Sequence, residues 1–323
     1  MRKITETRTG KIVTDTDLGL EYLYVGDYGK ENNIKASFLG YDKRIDKVEH
    51  QEVNIEEKLV VTVSSQKGCP MKCNFCDCPK FGFRGNASIS ELMTEIMSGI
   101  ALSGIKHGKR LNIHFARMGE PTFNPDVRRA ANLVAEALRF GSVQFDEYHP
   151  VVSTMMPKSN KHLKDFLYEW VIDGYTFGGE DGYGLQFSIN TLDEVQRNEM
   201  FRNMSLSLEE IGKIISELPM PKKRKFTLNF SVTSESNLDV DLMNKYFDKE
   251  KCIVKITPIH KTVEAENNGY EIVKDFDVYE KFEQPLVNDG WDVIVFIPSK
   301  EEDEDRITCG NALIALSGCR EGK

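Results

Sequence analysis

Between residues 59 and 298 short runs rich in β-branched and aromatic residues alternate with amphipathic segments, and this alternation constrains the fold more than any other feature. Strand patterns fall at 59–65, 111–116, 150–154, 184–189, 226–232 and 252–257. Helical periodicity fills the gaps at 88–103, 126–140, 161–171, 207–218 and 239–247. Start signals support several helices, such as Ser207 followed by Glu210, or Asp126 in the turn after Pro125. Strand–helix–strand repetition implies a parallel sheet with helical crossovers. Six such units fall short of the eight that close a full barrel. The predicted class is therefore α/β, a partial (β/α)6 barrel whose ligands gather at the C-terminal strand ends. A helix near 278–287, an extra strand at 291–298 and a C-terminal loop complete it.

The first 58 residues break the alternation. GLEYLYVG, IKASFLGY and HQEVNI read as short antiparallel strands, a small β extension packed on the barrel. Two parts are expected: an N-terminal β-rich extension, 1–58, and the barrel with its C-terminal loop, 59–323. No apolar run reaches the length of a spanning helix, and the basic N-terminus lacks the apolar stretch of a secretory signal. A cytoplasmic location without membrane contact is the expectation. The formal net charge of −9 gives no electrostatic footprint for nucleic acid. The basic run 222–225 and the acidic run 301–305 read as solvated loop ends.

Seven cysteines, four of them within ten residues, make a poor disulfide framework for a chain this long. Cys69, Cys73 and Cys76 follow the first strand at spacing C-x3-C-x2-C. Three thiolates in one strand-end loop suit a cubane cluster with one iron left open, since such clusters usually take four cysteines. The alternative is a structural zinc site with Cys78 as fourth ligand, though zinc knuckles usually draw a second ligand pair from a distance. One unit later, Gly119-Glu120-Pro121 closes the second strand. The triplet in this position resembles that of radical SAM enzymes, in which the open iron chelates the amino and carboxylate groups of S-adenosylmethionine (SAM). The GEP segment there meets the SAM amino group.

Five segments resemble, in order, a narrower group: the RlmN/Cfr-type radical SAM RNA methyltransferases. Val63-Ser64-Ser65-Gln66-Lys67-Gly68-Cys69 looks like the family's VSSQxGC, and Gly82-Phe83-Arg84-Gly85-Asn86 resembles its GFxRN turn. Met118-Gly119-Glu120-Pro121 matches its MGEP. Phe187-Ser188-Ile189-Asn190, with Asp193 to Arg197 behind it, is similar to its SLHAPND…R segment. Asp305-Arg306-Ile307-Thr308-Cys309-Gly310-Asn311 resembles its cysteine-containing ending. The resemblance runs from about 52 to 316 and implies a 4Fe-4S cluster on Cys69, Cys73 and Cys76, with SAM as cofactor.

It further implies that Cys309 accepts a methyl group from one SAM. A radical made from a second SAM then activates that methyl for addition to an aromatic carbon, in the known cases of an adenine. SAM contacts carry over to Gly119, Glu120, Ser153, Ser188, Asn190 and His260, and a family glutamate carries over to Glu52. Asn190 and His260 depart from the pattern, which has His and Asn there; both remain able to donate and accept hydrogen bonds. The expected partners are RNA or a nucleotide-like substrate and a reductase or flavodoxin-type electron donor. Phe75, Phe81 and Phe83 either stack a base or exclude water from the cluster.

Two departures are larger. The family's second essential cysteine, which resolves the covalent adduct, is replaced by Thr62. The family's helical RNA-binding domain has no counterpart in the roughly 60 residues before the cluster loop. Three readings stand: methyl transfer through Cys309, radical SAM chemistry with Cys309 as hydrogen donor or crosslinking residue, and a non-catalytic protein that keeps its cluster as structure. An inert buried thiol is the plain alternative for Cys309 taken alone.

Overall fold

The computed structural model describes residues 1–27, 54–271, 273, 278–296 and 300–317. The expected parallel strands form. They are β4 (Asn54–Thr62), β7 (His107–Phe115), β8 (Gln144–Thr154), β9 (Gly184–Ser188), β10 (Phe226–Val232), β11 (Cys252–Pro258) and β12 (Val293–Val295). All pair in parallel in that order. Several begin earlier than hydrophobic patterning suggests, because the added residues are polar. Arg110 of β7 and Glu147 of β8 form an ion pair across the sheet, and His149 lies 3.2 Å from the same carboxylate.

Helices α1 (Ile89–Ser103), α2 (Asp126–Phe140), α3 (Leu163–Phe177), α4 (Glu194–Met200), α5 (Leu208–Glu217) and α6 (Val240–Tyr246) cross between strands. Ser88–Glu91 and Ser207–Glu210 form complete capping boxes at the starts of α1 and α5. The two faces of the sheet differ. Leu59, Val61, Leu111, Ile113, Phe115, Phe187, Leu228 and Val254 are fully buried among the helices. Their alternates, such as Thr62, His114, Ser153, Gln186, Asn229 and Lys255, face the other way. A parallel sheet of this kind twists, and these side chains share its polar face. Among the described residues its ladder stays open.

The N-terminal segment joins this sheet edge to edge. Strands β1 (Arg2–Glu6), β2 (Gly10–Asp15) and β3 (Leu20–Asp27) form an antiparallel meander, with β3 hydrogen-bonded to β4. GLEYLYVG is β3; IKASFLGY and most of HQEVNI lie outside the described residues. Strands β1 and β2 escape sequence reading because their charged and threonine-rich residues show little alternation. A short hairpin, β5 (Gln66–Gly68) with β6 (Phe83–Asn86), brackets the cysteine triplet. Among the described residues, no helix is long and apolar enough to cross a membrane.

Candidate active site at the strand ends

The cluster loop hangs between the two strands of the β5–β6 hairpin. Gly68 has φ +79°, and a Cβ there would sit 1.5 Å from the Gly82 carbonyl oxygen, so only glycine lets the hairpin close. Cys69, Cys73 and Cys76 are all partly buried. Met71, Met155, Met200, Phe201 and Ile259 wall one side of them. Burial, reinforced by mutual repulsion, pushes the Cys69 and Cys73 thiols far up. Cys76 is pulled down, chiefly by the thiol of Cys78. Three thiols enclosed in apolar surroundings become thiolates only beside strong positive charge, which cluster iron provides. The donor set therefore fits a cluster. The Cys78 thiol, beside Cys76, also donates to the Arg117 carbonyl at 3.3 Å. Among the described residues, no three His, Cys, Asp or Glu side chains converge on one point as a single-metal site requires.

Other elements pin this loop in place. Asn74 donates to the Glu199 carbonyl at the end of α4, and its own backbone N–H donates to Met200. After β11, Thr262 donates to the Phe75 carbonyl at 2.8 Å and Asn268 to the Asn74 carbonyl. Gly119 has φ +98°, and a Cβ there would approach Gln66 to 2.6 Å. Its backbone N–H points at the Cys69 sulfur. Glu120 is buried, which raises its carboxyl above the usual range. It accepts from the Thr122 hydroxyl at 2.7 Å and from the Met155 N–H at 3.0 Å.

The remaining expected contacts stand on neighbouring strand ends. Ser153 donates to Gln186 Oε1 at 3.1 Å, and Ser188 closes β9 half-buried. Asn190 adopts φ +66° and accepts from the Ser231 N–H, leaving its buried Nδ2 without a partner among the described residues. His260 Nδ1 lies 3.2 Å from the Asp303 carboxylate, facing the base of the Cys309 loop. Glu52 lies outside the described residues.

Cys309 is exposed, and its sulfur lies 3.9 Å from the Ala116 carbonyl. Although the residue reaches solvent, desolvation by the chain packed around its sulfur, and then Cys76, push its thiol up to about 11. Residues absent from the sequence reading as site residues hold it there. Arg117 is buried and forms an ion pair with Glu21 of β3. Its guanidinium also donates to the carbonyls of Arg306 at 2.8 Å and of Thr308 and Asn311 at 3.2 Å. The Glu21 carboxylate accepts from the N–H groups of Leu313 and Ile314. Asp77, directly after Cys76, donates its N–H to the Gly310 carbonyl at 2.9 Å. Its carboxylate takes Arg306, Lys80 and the N–H groups of Val263 and Glu264. The available signal was charge set in apolar runs: Arg117 between Ala116 and Met118, Glu21 inside Leu20-Glu21-Tyr22-Leu23.

No family model matches the chain. The dual-specificity RNA methyltransferase RlmN of Nautilia profundicola is 26% identical over 195 residues, 59% of this chain and 50% of that one. RlmN of Aliarcobacter butzleri is 26% identical over 209 residues, 63% and 52% of the two chains. The chain thus spans about half the length of the curated relatives it matches. The crystal structure of a radical SAM methyltransferase from Sphaerobacter thermophilus superposes with a TM-score of 0.65 at 17% identity, covering 97% of this chain and 81% of that one. That likeness establishes the architecture, and the similarity to the RlmN sequences narrows it. The chain is thus similar in sequence to RlmN-type RNA methyltransferases over 59–63% of its length and shares the fold of a radical SAM methyltransferase.

Proposed function

We propose that this protein is a radical SAM methyltransferase that passes a methyl-derived carbon through Cys309 to an aromatic carbon, that of a purine in RNA or a nucleotide-like molecule. The observation that carries the reading is the tie between two loops far apart in sequence: Asp77 N–H to the Gly310 carbonyl fixes the Cys309 loop beside Cys76. A 4Fe-4S cluster on Cys69, Cys73 and Cys76, with SAM, would supply reductive cleavage to a deoxyadenosyl radical. Gly119, Glu120, Ser153, Ser188, Asn190 and His260 would line the SAM side. The electron would come from a reductase or flavodoxin-type donor. Residues 1–58 would serve the catalytic part, 59–323, through Glu21.

Arg117 orients the Cys309 loop, and the apolar wall of Met71, Met155 and Phe201 excludes water from the cysteines. In methyl transfer the Cys309 sulfur would take the SAM methyl, with S-adenosylhomocysteine leaving and the thiol proton passing to solvent. A second reading draws on Thr62, which stands where the family has its resolving cysteine, and on the raised Cys309 thiol, which at neutral pH holds its hydrogen. There Cys309 donates a hydrogen atom and carries no methyl.

The test is anaerobic. Protein reconstituted with iron and sulfide is mixed with SAM and dithionite, and 5′-deoxyadenosine is measured. Mass spectrometry reads the mass of the Cys309 peptide. Deoxyadenosine with one added methyl supports methyl transfer. Deoxyadenosine with unmodified Cys309 transfers the assignment to the second reading. Intact cluster with neither signal leaves the protein a non-catalytic cluster carrier.

A further inference from the structure

Beneath Cys309 the inner face of the sheet carries polar atoms that the mechanism above does not use. Ile113 and Phe115 are buried under the helices, so His114 between them faces inward. Its register partner on β4 is Thr62. Two residues along β7 from His114, the Ala116 carbonyl lies 3.9 Å from the Cys309 sulfur. His114 is thus one inward-facing position, ~6.6 Å of strand, deeper than the place where the thiol is held. Its Nε2 is buried and, among the described residues, has no partner. Across the same face, Asn229 donates to Gln186 Oε1 at 2.8 Å, and that oxygen also takes the Ser153 hydroxyl. The bond fixes the orientation of the Asn229 amide and leaves its buried Oδ1 without a donor among the described residues.

We propose that His114 and Asn229 form the base-reading part of the substrate pocket, His114 Nε2 bonding a ring nitrogen of a purine and Asn229 Oδ1 accepting from its exocyclic amino group. The assignment rests on the purine reading given under Proposed function. Each unmade bond to a buried polar atom costs stability, so a ligand that completes them gains affinity and specificity. Burial holds the imidazole neutral, lowered to about 3, and Lys255, Arg224 and Lys58 act in the same sense. A neutral ring offers either a donor or an acceptor to the base according to its tautomer.

The probe is adenosine, titrated calorimetrically into the cluster-containing protein and its His114→Gln and His114→Leu variants. His114→Leu should weaken binding about tenfold, the equivalent of one lost hydrogen bond, while His114→Gln stays within about threefold of wild type. Purine riboside, which lacks the amino group, should bind wild type about tenfold more weakly than adenosine does. In protein labelled with nitrogen-15 histidine, the His114 Nε2 signal should move on adding adenosine, which a purely structural histidine would not show. Iron content and melting temperature report whether each variant folds; if His114→Leu loses its iron, the wild-type signal decides. Equal affinity in a folded His114→Leu, an unmoved signal, or wild-type protein that ignores adenosine overturns the proposal. Deoxyadenosine formation by the same wild-type preparation is read separately, so failure of the radical SAM reading is distinguishable from failure of this one.

Discussion

The two loops that meet at the site are built in opposite ways. The cluster loop is local: its cysteines follow the strand that positions them, and glycines at 68 and 82 shape its hairpin. The Cys309 loop arrives after more than two hundred further residues. It is held by Arg117 at the end of β7, by Glu21 from the N-terminal meander and by Asp77 from the cluster loop itself. A locally built loop needs only its own sequence and a strand end. A remotely built one needs the whole sheet folded first, and charge at the junction fixes its place. Buried ion pairs are weak evidence for net stability but costly to break on one side. The Glu21–Arg117 pair therefore acts as a register device whose loss should be felt at Cys309 first.

The sharpest break would come from Arg117→Ala, which leaves Glu21 buried without its counter-charge. Urea unfolding should show a loss of about 3–5 kcal/mol, and Cys309 should alkylate faster with iodoacetamide. Unchanged alkylation would mean that the remote loop is as self-sufficient as the local one. Gly119→Ala attacks the local loop instead, through positive φ and contact with Gln66. It should cost about 2–3 kcal/mol and lower iron retention, because the Gly119 N–H supports Cys69. Full retention would remove Gly119 from the account of the cluster loop.

Asp77→Asn tests the joint between the loops. The backbone bond to Gly310 survives, while the carboxylate's attraction to Arg306 and Lys80 is lost. The expected cost is about 1.5 kcal/mol, with a rise in amide hydrogen exchange across 306–311. The smallest effect belongs to Asp303→Asn, at or below about 1 kcal/mol for a partly exposed group. Burial opposes ionisation of Asp303, but His260, Thr308 and the Lys261 N–H outweigh it and hold the carboxyl below its usual range. Its contribution is therefore complete above the unfolded carboxyl pKa and is lost as the pH falls through the lower folded value. Wild type and variant should differ in urea midpoint at pH 7 and converge only as the pH falls beneath the ordinary aspartate range. A gap that persists in acid would assign the contribution to packing.

Much of the fold was legible because its signal is local. Apolar residues alternating along β4, β7, β10 and β11, and the Ser–x–x–Glu starts of α1 and α5, state their conformations within a few residues. Helix α4 was read only as part of a motif, since seven residues capped by Asp193 give too short a period. Strand β1 went unread because an exposed edge needs little alternation, and β2, though inside the meander, because its charged and threonine residues hide the pattern.

The sequence by itself determined the strand–helix order, the triplet Cys69, Cys73 and Cys76 and its place after the first parallel strand, and Cys309 as a residue of interest. The first two are matters of spacing and periodicity, which chain geometry translates directly into local structure; Cys309 stood out only through the resemblance of its segment to a family ending. Only the tertiary structure decided that the N-terminal meander joins the sheet, that Glu21 and Arg117 hold the Cys309 loop, and that His114 lies beside Thr62 on the inward face. Each of these depends on which residues meet when the sheet forms. Such meetings arise from the packing of distant segments and the pairing of buried charge, and spacing along the chain carries no record of them.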